Sequence, residues 1–234
     1  MNVAILSDII KETKSNWRFI FEDPLMTLNF IPGQLVQLCA KPGQEDSVVR
    51  NYSVASWPDG TNKFELIVTY LKGGAMSEYL FNEAKVGDEF IYRGPMGVFT
   101  LPDTIERDIF FVSTGSGISP FRSMVNWIAE NGIKTQKIKL FFGTRTQQDI
   151  CYWEEMKLLE QILPDFEFIP VLSREEWSGK TGYVHEHYLK LVDDALEKPL
   201  IYYCGWDRMI AEGRKHLAER GFEMTKDIRV EIFG

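Results

Sequence analysis

The chain changes its hydrophobic pattern once, at "LPDT" (101–104), and that change constrains the fold more than any other feature. Before it, short runs of alternating apolar and polar residues recur: "NVAILSDII", "WRFIFED", "QLVQLCA", "SVVRNYSVAS", "KFELIVTYL" and "DEFIYRG". Turn signals such as "IPGQ", "PDGTN" and "GPMG" separate them. Side chains alternate between faces along a strand, so each run predicts a half-buried strand. Regular short strands with such turns predict an antiparallel barrel or sandwich. "AMSEYLFNEA" is the one helix-like insertion.

After the change, apolar strands alternate with helices. "DIFFVST" precedes "PFRSMVNWIAENG", and "KIKLFFGT" precedes "CYWEEMKLLEQI". "FEFIPVLS", a helical stretch near "HEHYLKLVDDAL", "PLIYYCG", "WDRMIAEGRKHLAERG" and "IRVEIF" complete the series. This alternation predicts a doubly wound parallel α/β sheet. The expected division is an N-terminal β-barrel domain over 1–102 and an α/β domain over 103–234, joined by a short hinge near Leu101–Asp103.

The chain's 234 residues suffice for two domains. Its 34 acidic against 26 basic residues give a net charge of −8, which argues against nucleic acid as a partner. No apolar run approaches ~18 residues, so no membrane span is expected. The start, "MNVAILSDIIKETKS", has no basic region and no long apolar region, so no signal peptide is expected. Cys39, Cys151 and Cys204 lie far apart, and only three histidines occur. Neither a metal site nor an iron–sulfur cluster is expected, and a reduced, cytoplasmic protein is.

The first strand of the second half ends in "STGSGISPFRSM" (113–124). Gly115 and Gly117 let the backbone approach a pyrophosphate, or mark only a tight turn; their place at the first strand–helix crossing favours the former. Ser119 suits an N-cap and Pro120 a first helical position, and the helix starting there points free N–H groups at an anion. The position of the usual third glycine is held by Pro120. No acidic residue ends the second strand; "LFFGTRT" supplies Arg145 and "VLSRE" supplies Ser173 and Arg174. Arginine there suits a 2′-phosphate, hence NADPH over NADH; the alternative is surface arginines beside an adenine. "YYCGWDRM" puts Cys204 and Gly205 at the carboxyl edge of the sheet, where ligands bind. Cys204 is open to three readings: a nucleophile, a small buried hydrophobe, or a neutral contact with a nicotinamide.

Together the two halves resemble the ferredoxin–NADP⁺ reductase superfamily, over essentially the whole chain. "RNYSVAS" (50–56) is similar to that family's arginine–x–tyrosine–serine flavin signature, and "IPGQLVQL" (31–38) to the turn before it. "GGAMSEYL" (73–80) resembles the second flavin segment, and "GPMGVF" (94–99) the last turn of the barrel. "STGSGISPFRSM" resembles the nicotinamide-nucleotide loop, and "CGWDRM" (204–209), with Gly205 and Met209, the cysteine–glycine–x–x–x–methionine segment.

The resemblance implies a flavin on the barrel, FAD rather than FMN, with NADPH or NADH as co-substrate. Arg50 offers a planar fork to the pyrophosphate, and the Tyr52 ring packs on the flavin or its ribityl chain. The resemblance puts the Ser53 hydroxyl near flavin N5, and Gly74, Met76 and Ser77 at the phosphates. Val68 and Tyr70 are flavin neighbours or ordinary barrel packing. The implied reaction is hydride transfer between nicotinamide C4 and flavin N5, lined by Ser53, Cys204 and Glu231, with Thr114 at the ring edge. Phe233 stands where the family carries an aromatic over the flavin, although here Gly234 follows it; the alternative is a core residue of the closing strand.

With no ferredoxin-like segment in the sequence, electrons are expected to leave to a separate partner: ferredoxin, flavodoxin or an oxygenase component. One alternative is a reductase of free flavin. Another is a non-catalytic regulatory subunit, a class that typically carries the cysteine cluster missing from this sequence.

Overall fold

The computed structural model of the chain describes residues 2–41, 43, 45 and 47–232. The first half forms β1 (Asn2–Lys11), β2 (Asn16–Glu22), β3 (Leu35–Ala40), β4 (Val48–Ser53), β5 (Lys63–Thr69), α1 (Ala75–Asn82) and β6 (Glu89–Met96). The six strands make one antiparallel sheet in the order β4-β3-β6-β1-β2-β5. Alternation drives the closure: Ala4, Leu6, Phe19, Phe21, Val36, Leu38, Phe90 and Tyr92 all point into one core. The sheet curls until its edges meet at one corner, where the Ala55 N–H donates to the Glu65 carbonyl at 2.8 Å. Elsewhere β4 and β5 are not paired, so the barrel has an open seam, and α1 lies against β4.

The second half forms β7 (Ile109–Thr114), α2 (Ser119–Asn131), β8 (Ile138–Thr144), α3 (Trp153–Ile162), β9 (Phe166–Leu172), β10 (Lys180–Thr181), α4 (Val184–Asp193), β11 (Leu200–Gly205), α5 (Asp207–Glu219) and β12 (Ile228–Ile232). All six strands run parallel in the order β10-β9-β8-β7-β11-β12. Apolar clusters cover both faces of the sheet, as parallel sheets require. The order reverses between β7 and β11, and ligands of open α/β sheets bind outside the strand ends at such a reversal. Both expected architectures are therefore present.

One core runs across the junction. Ala55, Ile67 and Phe99 of the barrel belong to the same buried cluster as Phe121 and Tyr202. This explains why β5 does not alternate: Phe64, Leu66 and Val68 face the barrel core, while Glu65 and Ile67 face the second sheet's helices. Glu65, 6% exposed, receives Arg18 Nη2 at 2.7 Å, Arg122 Nη1 at 3.2 Å and the Tyr152 hydroxyl at 2.6 Å. Burial pushes the Glu65 carboxyl up, but Arg122 and Arg18 outweigh it and hold it below the usual carboxylate range. Arg122 also reaches Glu155 at 2.8 Å and the Ala55 carbonyl at 3.0 Å. Tyr152 adopts a left-handed backbone (φ +55°), which lets its N–H donate to Glu12 of the barrel at 2.6 Å. A non-glycine residue in that conformation is strained by ~1–3 kcal/mol, held here by its buried bonds.

Candidate functional site

The carboxyl ends of the parallel strands meet the end of β4. Ser53, 2% exposed, closes β4, and its hydroxyl donates to Glu231 Oε2 of β12 at 2.5 Å. These residues are 178 positions apart in sequence and come from the two halves of the molecule. Burial raises the Glu231 carboxyl to about 6, with the Ser53 bond pulling the other way. Cys204 pairs with Glu231 in the β11–β12 ladder and with Ser113 in the β7–β11 ladder. It is fully buried, and burial together with Glu231 pushes its thiol far up. Such a thiol is held towards its protonated form, which favours the buried hydrophobe and the neutral contact over the nucleophile among its three readings.

Thr114 and Gly205 straddle the strand reversal. Gly205 is left-handed (φ +141°), and a Cβ there would lie 2.4 Å from Thr114 Oγ1. Thr114 Oγ1 accepts the backbone N–H of Trp206, a residue 61% exposed at the same strand end. A single 3₁₀ turn, Gly115–Ile118, follows Thr114. A Cβ on Gly117 would stand 2.2 Å from the Cys204 carbonyl oxygen, so only glycine lets this turn lie against β11. The turn shifts the expected helix start. Ile118, not Ser119, is the N-cap, and the Ser119 hydroxyl donates back to the Ser116 carbonyl at 2.7 Å. Pro120 falls in the buried first turn of α2.

On the barrel side, Arg50 and Tyr52 oppose Leu38 and Val36 across the β3–β4 ladder, on the inner face beside the open seam. Arg50 is exposed, and its Nη1 donates to the Val49 carbonyl at 2.7 Å. Burial pushes the Tyr52 hydroxyl up, against the opposing pull of Arg50. Gly74 caps α1 without a side-chain bond, and the first-turn amides of Ala75, Met76 and Ser77 have no acceptor among the described residues. An exposed guanidinium beside a seam and an uncapped helix N-terminus suit a ligand with negative phosphates, and a pyrophosphate meets that requirement. The Ser77 hydroxyl is used within the loop, bonding Leu71 and Gly74, and the Met76 and Val68 side chains pack in the barrel core. For Met76 and Ser77 this leaves the amides as the groups available to an anion. Tyr70 lies just beyond β5, 39% exposed, its hydroxyl 3.4 Å from Glu78 Oε1.

Arg145 and Arg174 are both exposed at neighbouring strand ends, linked by Arg174 N–H to Arg145 carbonyl at 3.0 Å. Ser173 donates to the Thr144 carbonyl at 3.1 Å. No ion pair neutralises either guanidinium among the described residues. Met209 packs into the core on the far face of the sheet. Phe233 lies outside the described residues.

Sequence reasoning did not single out Trp206, Thr69 or Glu65. A large aromatic at the x position directly after "CG" was the available sign for Trp206. Among the described residues, no helix is long and apolar enough to cross a membrane.

Comparison with known proteins assigns both halves. Residues 5–101 match the oxidoreductase FAD-binding domain, and residues 111–215 the oxidoreductase NAD-binding domain. Ferredoxin–NADP reductase B of Sorangium cellulosum is 36% identical over 190 residues, covering 78% of this chain and 76% of its own length. The anthranilate 1,2-dioxygenase electron transfer component of Acinetobacter baylyi is 30% identical over 217 residues, covering 91% of this chain. The chain spans only 61% of that relative's length. A ferredoxin NADP⁺ reductase from Neisseria gonorrhoeae, solved with FAD and NADP bound, superposes with a TM-score of 0.82 at 22% identity, covering 98% of this chain and 97% of its own.

Proposed function

This chain belongs to the ferredoxin–NADP⁺ reductase superfamily, and on that premise we propose that it is an FAD-dependent NAD(P)H oxidoreductase serving a separate electron acceptor, foremost a ferredoxin or flavodoxin. The observation that carries this reading is the Ser53–Glu231 bond. It brings the end of the barrel's signature strand to β12, the edge strand that pairs with β11 beside the reversal of the nucleotide-binding sheet. FAD, when bound, supplies the hydride acceptor and releases the electrons to the partner.

The chain's own residues seat, orient and shield. Arg50 and the amides at the start of α1 hold the FAD pyrophosphate, and Tyr52 covers the ribityl side. Gly74, Met76 and Ser77 contribute backbone, and Val68 and Tyr70 shape the wall. Thr114, Gly115, Gly117, Pro120, Cys204 and Gly205 form or support the nicotinamide cradle, Met209 anchors α5 behind it in the core, and Arg145, Ser173 and Arg174 receive a 2′-phosphate. Near neutral pH Glu231 is ionised and keeps the Ser53 proton on its own carboxylate side. Cys204, neutral and buried, gives the cradle an uncharged floor. Division at 1–102 and 103–234 into a flavin and a nucleotide domain agrees with this distribution. A cytoplasmic setting suits the three unpaired cysteines and the supply of NAD(P)H.

A second reading, the reductase component of an oxygenase, is favoured by the dioxygenase electron transfer component that covers 91% of this chain. The test is spectroscopic and kinetic. Purified protein should carry stoichiometric FAD, and NADPH or NADH should reduce it. The reduced protein should then pass electrons to ferricyanide and to one of a panel of ferredoxins, flavodoxins and oxygenase components. Colourless protein that reduces only added FMN or FAD would replace this reading with a reductase of free flavin.

A further inference from the structure

Thr69 ends β5, directly before Tyr70 and the loop that leads to α1. Its Oγ1 accepts the Ser116 N–H at 3.2 Å and donates to Asn16 Oδ1 at 2.6 Å. Asn16 faces Thr69 in the β2–β5 ladder and is 4% exposed. Its Nδ2 donates to Thr13 Oγ1 at 3.1 Å, which leaves Oδ1 facing Thr69. Thr13 Oγ1 also accepts the N–H groups of Ser15 and Asn16, at 3.3 and 3.0 Å. Asn16 therefore presents only an oxygen to Thr69. The Thr69 proton points at Asn16, and its lone pairs face Ser116. The chain Ser116 to Thr69 to Asn16 to Thr13 is continuous, and its first bond, from a backbone N–H, has only one possible direction.

This relay ends on the 3₁₀ turn that approaches β11. Gly115, left-handed at φ +56°, lies between two groups: a Cβ there would stand 3.4 Å from Thr69 Oγ1 and 4.0 Å from Trp206 Nε1. The Ser116 amide, a natural anion donor by its place in the loop, is already bound to a barrel hydroxyl. We infer that Thr69 is a positioning residue: it acts through the Ser116 amide to set the height of the Thr114–Gly117 loop above Ser53, and so the placement of the pyridine nucleotide. This rests on the reading of the protein as an NAD(P)H-to-flavin reductase. It also couples the two seats, since the strand that carries Thr69 continues into the loop at α1.

The test uses the FAD-loaded full chain. Thr69→Val removes the hydroxyl at nearly constant shape, and Thr69→Ser keeps it. Dissociation constants for NADP⁺ and NAD⁺ are read from the flavin spectral perturbation, and flavin reduction from stopped-flow traces. Thr69→Val should retain FAD and weaken binding of the preferred nucleotide about fivefold to tenfold, the scale of one lost hydrogen bond. Reduction at saturating nucleotide should slow several-fold, and Thr69→Ser should restore both to within about twofold. Wild-type constants in Thr69→Val, or equal impairment in Thr69→Ser, would overturn the assignment while leaving the reductase reading intact. Wild-type protein that binds neither nucleotide would overturn both. If Thr69→Val does not fold, Thr69→Ala carries the same expectation.

Discussion

Replacing Ser53 by alanine should move the titration of Glu231 upward. Glu231 titrates at about 6 because burial disfavours its charge, and the 2.5 Å bond from Ser53 limits that rise. A hydrogen bond to a charged group contributes ~1.5–3 kcal/mol, and a pKa unit corresponds to about 1.36 kcal/mol. Ser53→Ala should therefore carry Glu231 to roughly 7–8. The sign for stability follows from linkage. The folded chain holds the Glu231 proton more tightly than the unfolded chain, whose carboxyl titrates near 4.5. Its contribution is complete below about 4.5 and is lost as the pH rises through about 6, a loss of about 2 kcal/mol. Ser53→Ala should deepen the loss and extend it towards pH 8, and Glu231→Gln should abolish it. Carboxyl ¹³C NMR gives the midpoint directly. Urea unfolding of wild type and Glu231→Gln from pH 4 to 8 gives the energy, because the difference curve cancels the other groups. A difference curve flat between pH 4.5 and 7, or a midpoint still near 6 in Ser53→Ala, would refute the reasoning.

Two further outcomes are expected. Arg174→Ala should lower kcat/KM for NADPH about tenfold through KM while leaving NADH nearly unchanged, as steady-state kinetics with each nucleotide would show; equal effects would place recognition of the 2′-phosphate elsewhere. Glu65→Ala should destabilise the chain by ~3–5 kcal/mol, because it leaves Arg18 and Arg122 without their shared carboxylate, and a shift of the urea midpoint checks this.

The strands of both halves were legible because their apolar periods are local. Phe19 and Phe21, or Val36 and Leu38, announce a face two residues at a time. The two-residue β10 had no period to display. Ser119 looked like a cap because serine before proline often is one, but the 3₁₀ turn before it had already begun the helix. The resemblance in "RNYSVAS" drew attention to Ser53, and "VEIF" to Glu231, but their bond spans 178 positions and follows only from how the two sheets dock. Glu65 was hidden for the opposite reason. In "KFELIVT" it occupies the position of an outward polar residue, and only the second half's packing makes that outer face an interior.

The Glu65 junction bears on how such proteins can be recombined. The peptide link at Leu101–Asp103 invites exchange of one half for that of a relative. The two halves nevertheless share a carboxylate with cations on either side, Arg18 from the barrel and Arg122 from α2, and a tyrosine whose backbone is bent to reach both Glu12 and Glu65. A chimera that inherits the carboxylate without both arginines and the tyrosine would bury a lone charge at its own joint. Compatible halves are those that match at these positions, whatever their catalytic motifs, so the unit of modular exchange is the interface and not the linker.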